Sequence, residues 1–310
     1  MMGYTGSVFI STDEAGTDFQ IIPVTGSSSS RNRRAITSSA GYGGNSDVTD
    51  ASAAVGTPRA YDWPEYSLSC DFDPTKKAIK VLFDWISARQ EYRKVQLYPR
   101  NGSQQFYDEC YFQSLNLSAS QGGNVSASLT FLPTSRNEII PTNWILGQSY
   151  TAYRKGSFTS TEMDSLLAET WNPKSSSGPI PYWATSIDMG SGVEVTNWSW
   201  DFNNSAELRY LCSGNNDTMQ PPTYVAIGPA DCSLNLTMVL TPGAASTYTI
   251  PSQITSEKLI LVTDTDSNEY SVTMDKLDLD SDDDPVRGAS DITTFDLKYY
   301  ARGKLTLLAT

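Results

Sequence analysis

Over much of the chain apolar and polar residues alternate at a period of two. Leu68-Ser-Cys70-Asp-Phe72 does so, as do Cys232-Ser-Leu234-Asn-Leu236-Thr-Met238, Leu115-Asn-Leu117, Leu129-Thr-Phe131, Leu277-Asp-Leu279 and Phe295-Asp-Leu297. That spacing sends successive side chains to opposite faces of a strand, so each run predicts a half-buried strand with one apolar face. The gaps between runs hold Gly, Asn, Asp or Ser, which predicts antiparallel strands joined by turns. Arg100-Asn101-Gly102-Ser103 is a hairpin signal because Asn-Gly supplies positive φ, and Gln121-Gly122-Gly123-Asn124 closes a second hairpin. Corresponding turns fall at Asp264 to Asn268 and at Asp282 to Ser290. One stretch breaks the alternation: Ile79, Leu82, Phe83 and Ile86 follow helical spacing after Asp73-Pro74, which predicts an amphipathic helix with an N-cap and a first-turn proline.

The runs recur. Leu68 matches Leu234 at an offset of 166, Lys94-Val-Gln-Leu-Tyr98 matches Lys258-Leu-Ile-Leu-Val262 at 164, Leu115-Asn-Leu117 matches Leu277-Asp-Leu279 at 162, and Leu129-Thr-Phe131 matches Phe295-Asp-Leu297 at 166. Four blocks in one order predict an internal duplication. The expected organisation is a mainly β protein of two tandem β-sandwich or half-barrel domains, each with a short helix. Residues 1–133 form the first domain, 134–181 a connector with a short capped helix from Ser160 to Glu169, and 182–310 the second domain. The second half's counterpart of the helix, TPGAASTYTIPSQITSEK, is shorter and weaker. Each half also has a polar excursion. Residues 26–60 are rich in Gly, Ser and Ala and include Arg31, Arg33, Arg34 and Tyr42, and the shorter stretch 211–231 includes Tyr224. Both read as disordered or as ordered by a partner.

Charge and composition restrict the chemistry. With 22 Lys+Arg against 35 Asp+Glu, the 310-residue chain has a formal net charge of −13, which argues against binding nucleic-acid phosphates through basic side chains. There is no histidine, so Ser-His-Asp and Cys-His nucleophiles, HExxH zinc chemistry and histidine pH switches are excluded. No apolar run is long enough to span a membrane, and Met1 to Gly16 lacks the pattern of a cleaved signal, so a soluble protein without a membrane partner is expected. From Asp264 to Asp296 ten Asp and one Glu stand against Lys276 and Arg287. Asp264, Asp266 and Asn268 space oxygen ligands as a calcium loop does, but without the central Gly and terminal Glu, so a solvated turn is preferred and no cofactor is expected. Lys76 to Arg100 is instead basic, with seven Lys or Arg against Asp84 and Glu91. That patch either meets the acidic region of a neighbouring subunit or is a solvated face balanced within the chain. Cys212 and Cys232 flank one loop and are a candidate disulfide, reduced after cytoplasmic synthesis or oxidised in a released particle, worth about 3 kcal/mol if formed. The carboxylate pairs Asp71/Asp73 and Glu194/Asp201 have no bracketing cleft in the sequence to make them a glycosidase site. Tyr61/Trp63/Tyr66 and Trp198/Trp200/Phe202 alternate as core rather than as sugar platforms. No enzyme is expected.

Two tandem β-rich halves with matched strand blocks, a helix in the first and a long arm ahead of each block resemble the tail-tube fold of bacteriophage tail tube and baseplate hub proteins, in its duplicated form. The resemblance implies a virion structural subunit, made in the host cytoplasm, that forms rings or stacked rings. Three chains would make a pseudo-hexamer, or six a hexamer, and the lumen would conduct DNA during ejection without binding it specifically. It implies other tail proteins as partners. Ser27 to Pro58 and Cys212 to Pro229 would be inter-ring arms, with Arg31, Arg33, Arg34, Tyr42 and Tyr224 as their contacts. Leu115, Leu117, Leu129, Phe131, Leu277, Leu279, Phe295 and Leu297 would supply barrel or core strands. An acidic lumen would repel phosphates, and Asp278, Asp280, Asp282, Asp283 and Asp284 are its candidate lining. The 48-residue connector and unequal helices depart from simple tube proteins, leaving tube subunit and single tail-tip ring both open. The alternative reading is a secreted or surface β-sandwich that binds carbohydrate or acts as an adhesin.

Overall fold

The computed structural model describes residues 6–15, 18–22, 24–30, 65–73, 76–99, 105–134, 165–166, 168–169, 182, 185, 187, 189–209, 224–240, 248–263, 269–282 and 294–309. The protein is mainly β. In the first half the strands are β1 (Gly6–Ser11), β2 (Phe19–Ile22), β3 (Val24–Ser30), β4 (Glu65–Asp71), β5 (Tyr92–Pro99), β6 (Gln105–Ser120) and β7 (Ser126–Thr134), with helix α1 (Lys77–Ser87) between β4 and β5. The second half holds β8 (Val193–Asn203), β9 (Ala206–Arg209), β10 (Tyr224–Ile227), β11 (Asp231–Leu240), β12 (Gln253–Thr263), β13 (Glu269–Asp282) and β14 (Thr294–Ala309).

Twelve of the strands make one sheet, and all its pairings are antiparallel. The first half runs β3-β4-β7-β6-β5-β1-β2 and the second runs β8-β11-β14-β13-β12. From β3 and from β8 onward, the five strands of each half are neighbours in the same order: first, second, fifth, fourth, third. The halves join where β6 pairs β8, with Ser114 to Ser120 opposite Asn203 to Asn197. Aligned by this shared strand order, the halves match at other offsets than the sequence blocks do. Leu68 lies opposite Leu129 and Leu234 opposite Tyr299, so Tyr299, four residues beyond Phe295, holds the place of Leu129. Leu115 and Leu279 lie opposite Leu129 and Tyr299, so Leu115 corresponds to Leu279 rather than Leu277. Irregular pairing within β13, between Met274 and Lys276 and between Leu279 and Ser281, shifts the count in a way that short sequence blocks do not reveal.

One face of the sheet is the core. Leu115, Leu117, Leu129, Phe131, Trp200, Leu234, Leu236, Met238, Leu277, Phe295, Leu297 and Tyr299 are all buried on it. Along β11 buried residues alternate without a break. Helix α1 covers the first half of this face through Ala78, Ile79, Val81, Leu82, Trp85 and Ile86, and Trp85 meets Phe112 edge-on with 5.9 Å between ring centroids. The helix starts later than Asp73-Pro74 predicts: Lys76 is its N-cap, without a side-chain cap, and Asp73 is buried. The second half has no helix among its described residues, contrary to the expectation of one helix per domain. Residues 248–252 pack on the core there, with Tyr248 against Phe295, and Tyr299 donates its hydroxyl to the Pro251 carbonyl at 3.0 Å. In the connector, residues 165, 166 and 168 have helical backbone. Glu169 accepts hydrogen bonds there from Lys77 Nζ at 2.8 Å and Gln20 Nε2 at 2.9 Å.

Candidate functional site

The opposite face of the sheet is the functional candidate. Because strand side chains alternate, the positions between the core residues all emerge together, and in strand after strand they are small and polar. Ser67, Ser69 and Asp71 come from β4; Ser126, Ser128 and Thr130 from β7; Asn116, Ser118 and Ser120 from β6. Asn197, Ser199 and Asp201 come from β8; Ser233, Asn235 and Thr237 from β11; Asp296, Lys298 and Tyr300 from β14; Asp278 and Asp280 from β13. A groove of about 520 Å³ runs along this face, lined by Ser118, Asn197, Ser199, Asn235, Asp296 and Lys298 among others.

Cross-strand hydrogen bonds fix the face. Asp201 lies at the joint between the halves and accepts from both sides, from Asn116 Nδ2 at 2.5 Å on β6 and from Asn235 Nδ2 at 2.9 Å on β11. Asn235 also donates to Ser199 Oγ at 3.0 Å. Ser67 and Thr130 share a hydroxyl contact at 3.3 Å, and Ser118 and Ser126 share one at 3.1 Å. Carboxylates outnumber cations, and the cations are engaged. Arg302 Nε is 2.7 Å from Asp278, Lys276 Nζ is 3.8 Å from it, and Lys298 Nζ is 3.8 Å from Asp280. Lys298 is pushed above its ordinary pKa, first by its hydrogen bond to Tyr300 and further by Asp280 and Asp201.

A second contact locks the halves from the other end of β8. Asn204, fully buried, accepts from Arg89 Nε at 2.7 Å and donates Nδ2 to the carbonyls of Arg89 and Phe112. Arg89 also donates Nη2 to the Gly228 carbonyl at 2.6 Å.

Asp278 and Asp280 thus sit on the polar face, and Asp282 ends β13 opposite Leu297. Asp264, Asp266, Asn268, Asp283 and Asp284 lie outside the described residues, as do Arg31, Arg33, Arg34, Tyr42 and Cys212. Tyr224, exposed, opens β10, which pairs with β9 from Tyr224↔Arg209 to Ile227↔Ala206. The polar excursion of the second half therefore has a β-hairpin as its base. Cys232 is a free, buried thiol that accepts a hydrogen bond from Trp200 Nε1, and burial pushes its pKa up to about 12. Trp198, Trp200 and Phe202 are core, as their alternation predicts, and so offer no stacking platform. Residues of the basic patch find partners within the chain. Lys77 meets Glu169, Lys80 meets Asp84, Arg93 meets Glu91, and Arg89 bonds Asn204 and Gly228.

The Asn116–Asp201–Asn235 bridge was not legible as a site, since Asp201 entered only as one of a carboxylate pair. The signal available was the near-uniformity of the polar positions, Ser, Asn, Thr or Asp at all of those named except Lys298 and Tyr300. Among the described residues no group of three or more His, Cys, Asp or Glu could hold a metal ion, and no helix is long and apolar enough to cross a membrane. Chemically the face offers hydroxyls, amides and carboxylates to water, with negative charge in excess. A scan against protein-family models matches none to this chain, and a search of curated proteins finds no match.

Proposed function

We propose that the chain is a structural subunit of a phage tail, a duplicated tail-tube-like building block that forms a ring or tube around a DNA-conducting lumen. The observation that carries this reading is the joint between the halves: five strands recur in the same order, and one copy of that order is joined edge to edge with the other into a single sheet. A joint of that kind is how sheet edges are satisfied in a ring, because each unit's open N–H and C=O groups find the next unit. The polar face supports the lumen assignment. Its carboxylates would repel DNA phosphates, and its short hydroxyl and amide side chains would leave a smooth, wetted wall. Asp278 and Asp280 belong to that wall in this reading, together with Asp201 and Asp296. The β9–β10 hairpin would be the base of an inter-ring arm, with Tyr224 at its start. Partners are further copies of the chain and other tail proteins, in the virion.

Negative-stain microscopy of the purified protein, with sedimentation velocity over a concentration series, tests the proposal. Rings or tubes with a central stain-filled hole are expected. Dispersed monomers with affinity for glycans would instead favour the surface carbohydrate-binding or adhesin reading.

A further inference from the structure

We infer that copies of this chain join head to tail through two identified edges, β3 of one copy and the end of β13 of the next, in the register that β8 and β6 use within one copy. This rests on the ring-forming reading above and specifies its interface.

β3 and β8 hold the same place in their halves. Ser30, Ser27 and Gly26 lie opposite Glu65, Leu68 and Ser69 on β4, while Asn203, Trp200 and Ser199 lie opposite Asp231, Leu234 and Asn235 on β11. β8 is paired on both sides, whereas β3 pairs only β4 among the described residues. An unprotected edge is an association site, and monomeric proteins guard such edges with Lys, Pro or other charges. Val24 to Ser30, VTGSSSS, contains none of these, and its one register shift lies at its start, between Val24 and Gly26.

The complementary edge is the end of β13. β6 divides its outer edge between β5, up to Tyr111, and β8, from Ser114 to Ser120. β13 is paired with β12 as far as Asp278, and Leu279 N donates to the Ser252 carbonyl at 3.0 Å. Beyond that, Asp280 to Asp282 have β14 on one side and no strand on the other among the described residues. With Leu279 in the place of Leu115, Ser281 stands where Asn116 stands, since Ser281 lies opposite Lys298 as Asn116 lies opposite Ser128, with Asp280 as the extra residue of the irregularity; Asn116 faces Asp201 across the internal joint. The β3 residue at the register position of Asp201 is Ser28, since Ser28 lies opposite Ser67 as Asp201 lies opposite Ser233. The intermolecular pair is then Ser28 with Ser281. Because the two edges differ, the contact is heterologous, and its repetition closes a ring if the rotation permits.

The test is site-directed cross-linking. Two full-length variants, Ser28→Cys and Ser281→Cys, each also carrying Cys212→Ser, are mixed under assembling conditions and oxidised. Directly opposed residues on paired strands bring Cβ atoms close enough for a disulfide or a short bismaleimide. Cross-linked dimers in the mixture, absent from either variant alone and from a mixture of Ser28→Cys with Thr255→Cys on β12, are expected. Amide exchange should also slow at 26–30 and 280–282 on assembly. Rings that form without this cross-link, or that link Ser28→Cys to Thr255→Cys instead, would overturn the assigned edges and leave the ring-forming reading standing. A chain that stays monomeric at every concentration, with no cross-link, would overturn both.

Discussion

Asn204 shows how single polar residues hold this molecule together. Its side chain is fully buried, and its amide bridges the Arg89 and Phe112 carbonyls while its oxygen accepts from Arg89. Removing it leaves a guanidinium and two carbonyls short of partners in a dry environment, which costs more than the hydrogen bonds themselves contribute. Asn204→Ala is expected to lower unfolding stability by about 1–3 kcal/mol in urea titration. Glu169 offers a pH-dependent counterpart. The Lys77 hydrogen bond, more than that of Gln20, holds its carboxyl below the ordinary value, against the opposing effect of burial. A lowered folded pKa means the unfolded chain takes up the proton first. The contribution is therefore present above the unfolded value and is lost as pH falls through the folded one. Both side chains are more than a third exposed, so solvent screening limits the pair to about 1 kcal/mol or less. Glu169→Gln should melt slightly below the unsubstituted protein near neutral pH, and the difference should vanish in acid, as read by Tm against pH.

At the scale of elements, the helix and the alternating strands were readable because their patterns are local. Ile79, Leu82 and Ile86 are buried on α1 and Phe83 packs partly against the core, while DCSLNLTMVL alternates in burial as its sequence does. Trp85 was outside the predicted stripe, yet it is the helix's most deeply buried residue, against Phe112 and Phe131. Trp85→Ala should therefore cost about 3–5 kcal/mol in chemical denaturation, the range for truncating a buried aromatic. Other elements were not legible, for physical reasons. The β6–β8 joint pairs Asn116 with Asp201, which are distant in sequence, and no periodicity reports which strand lies beside which. In the second half the described part of the corresponding stretch before β12, residues 248–252, is not helical: Tyr248 packs against Phe295, and the Pro251 carbonyl accepts from Tyr299. The turn at Gln121 to Asn124 was read correctly, and Gly122 there has φ +85, a conformation that glycine adopts without strain.

For the molecule as a whole, the sheet separates two surfaces that the net charge of −13 does not distinguish. One is a continuous apolar core under α1 and the segment 248–252; the other is a continuous polar face with Asp201 bridged across the joint between the halves. The acidic hairpins of the sequence contribute Asp278 and Asp280 to that face, where Arg302, Lys276 and Lys298 offset part of their charge. A wall of this kind is suited to water and to passing polyanions, and the recurring strand order supplies a way to repeat it around an axis. The most direct measurement is an electron cryomicroscopy reconstruction of the assembled protein. A closed ring or tube is predicted, with Asp201, Asn235 and Asp296 lining the central channel and the core face with α1 directed outward. Closed rings whose channel is lined by other surfaces, with Asp201 and Asp296 on the outer rim, would contradict the account, as would a chain that never assembles.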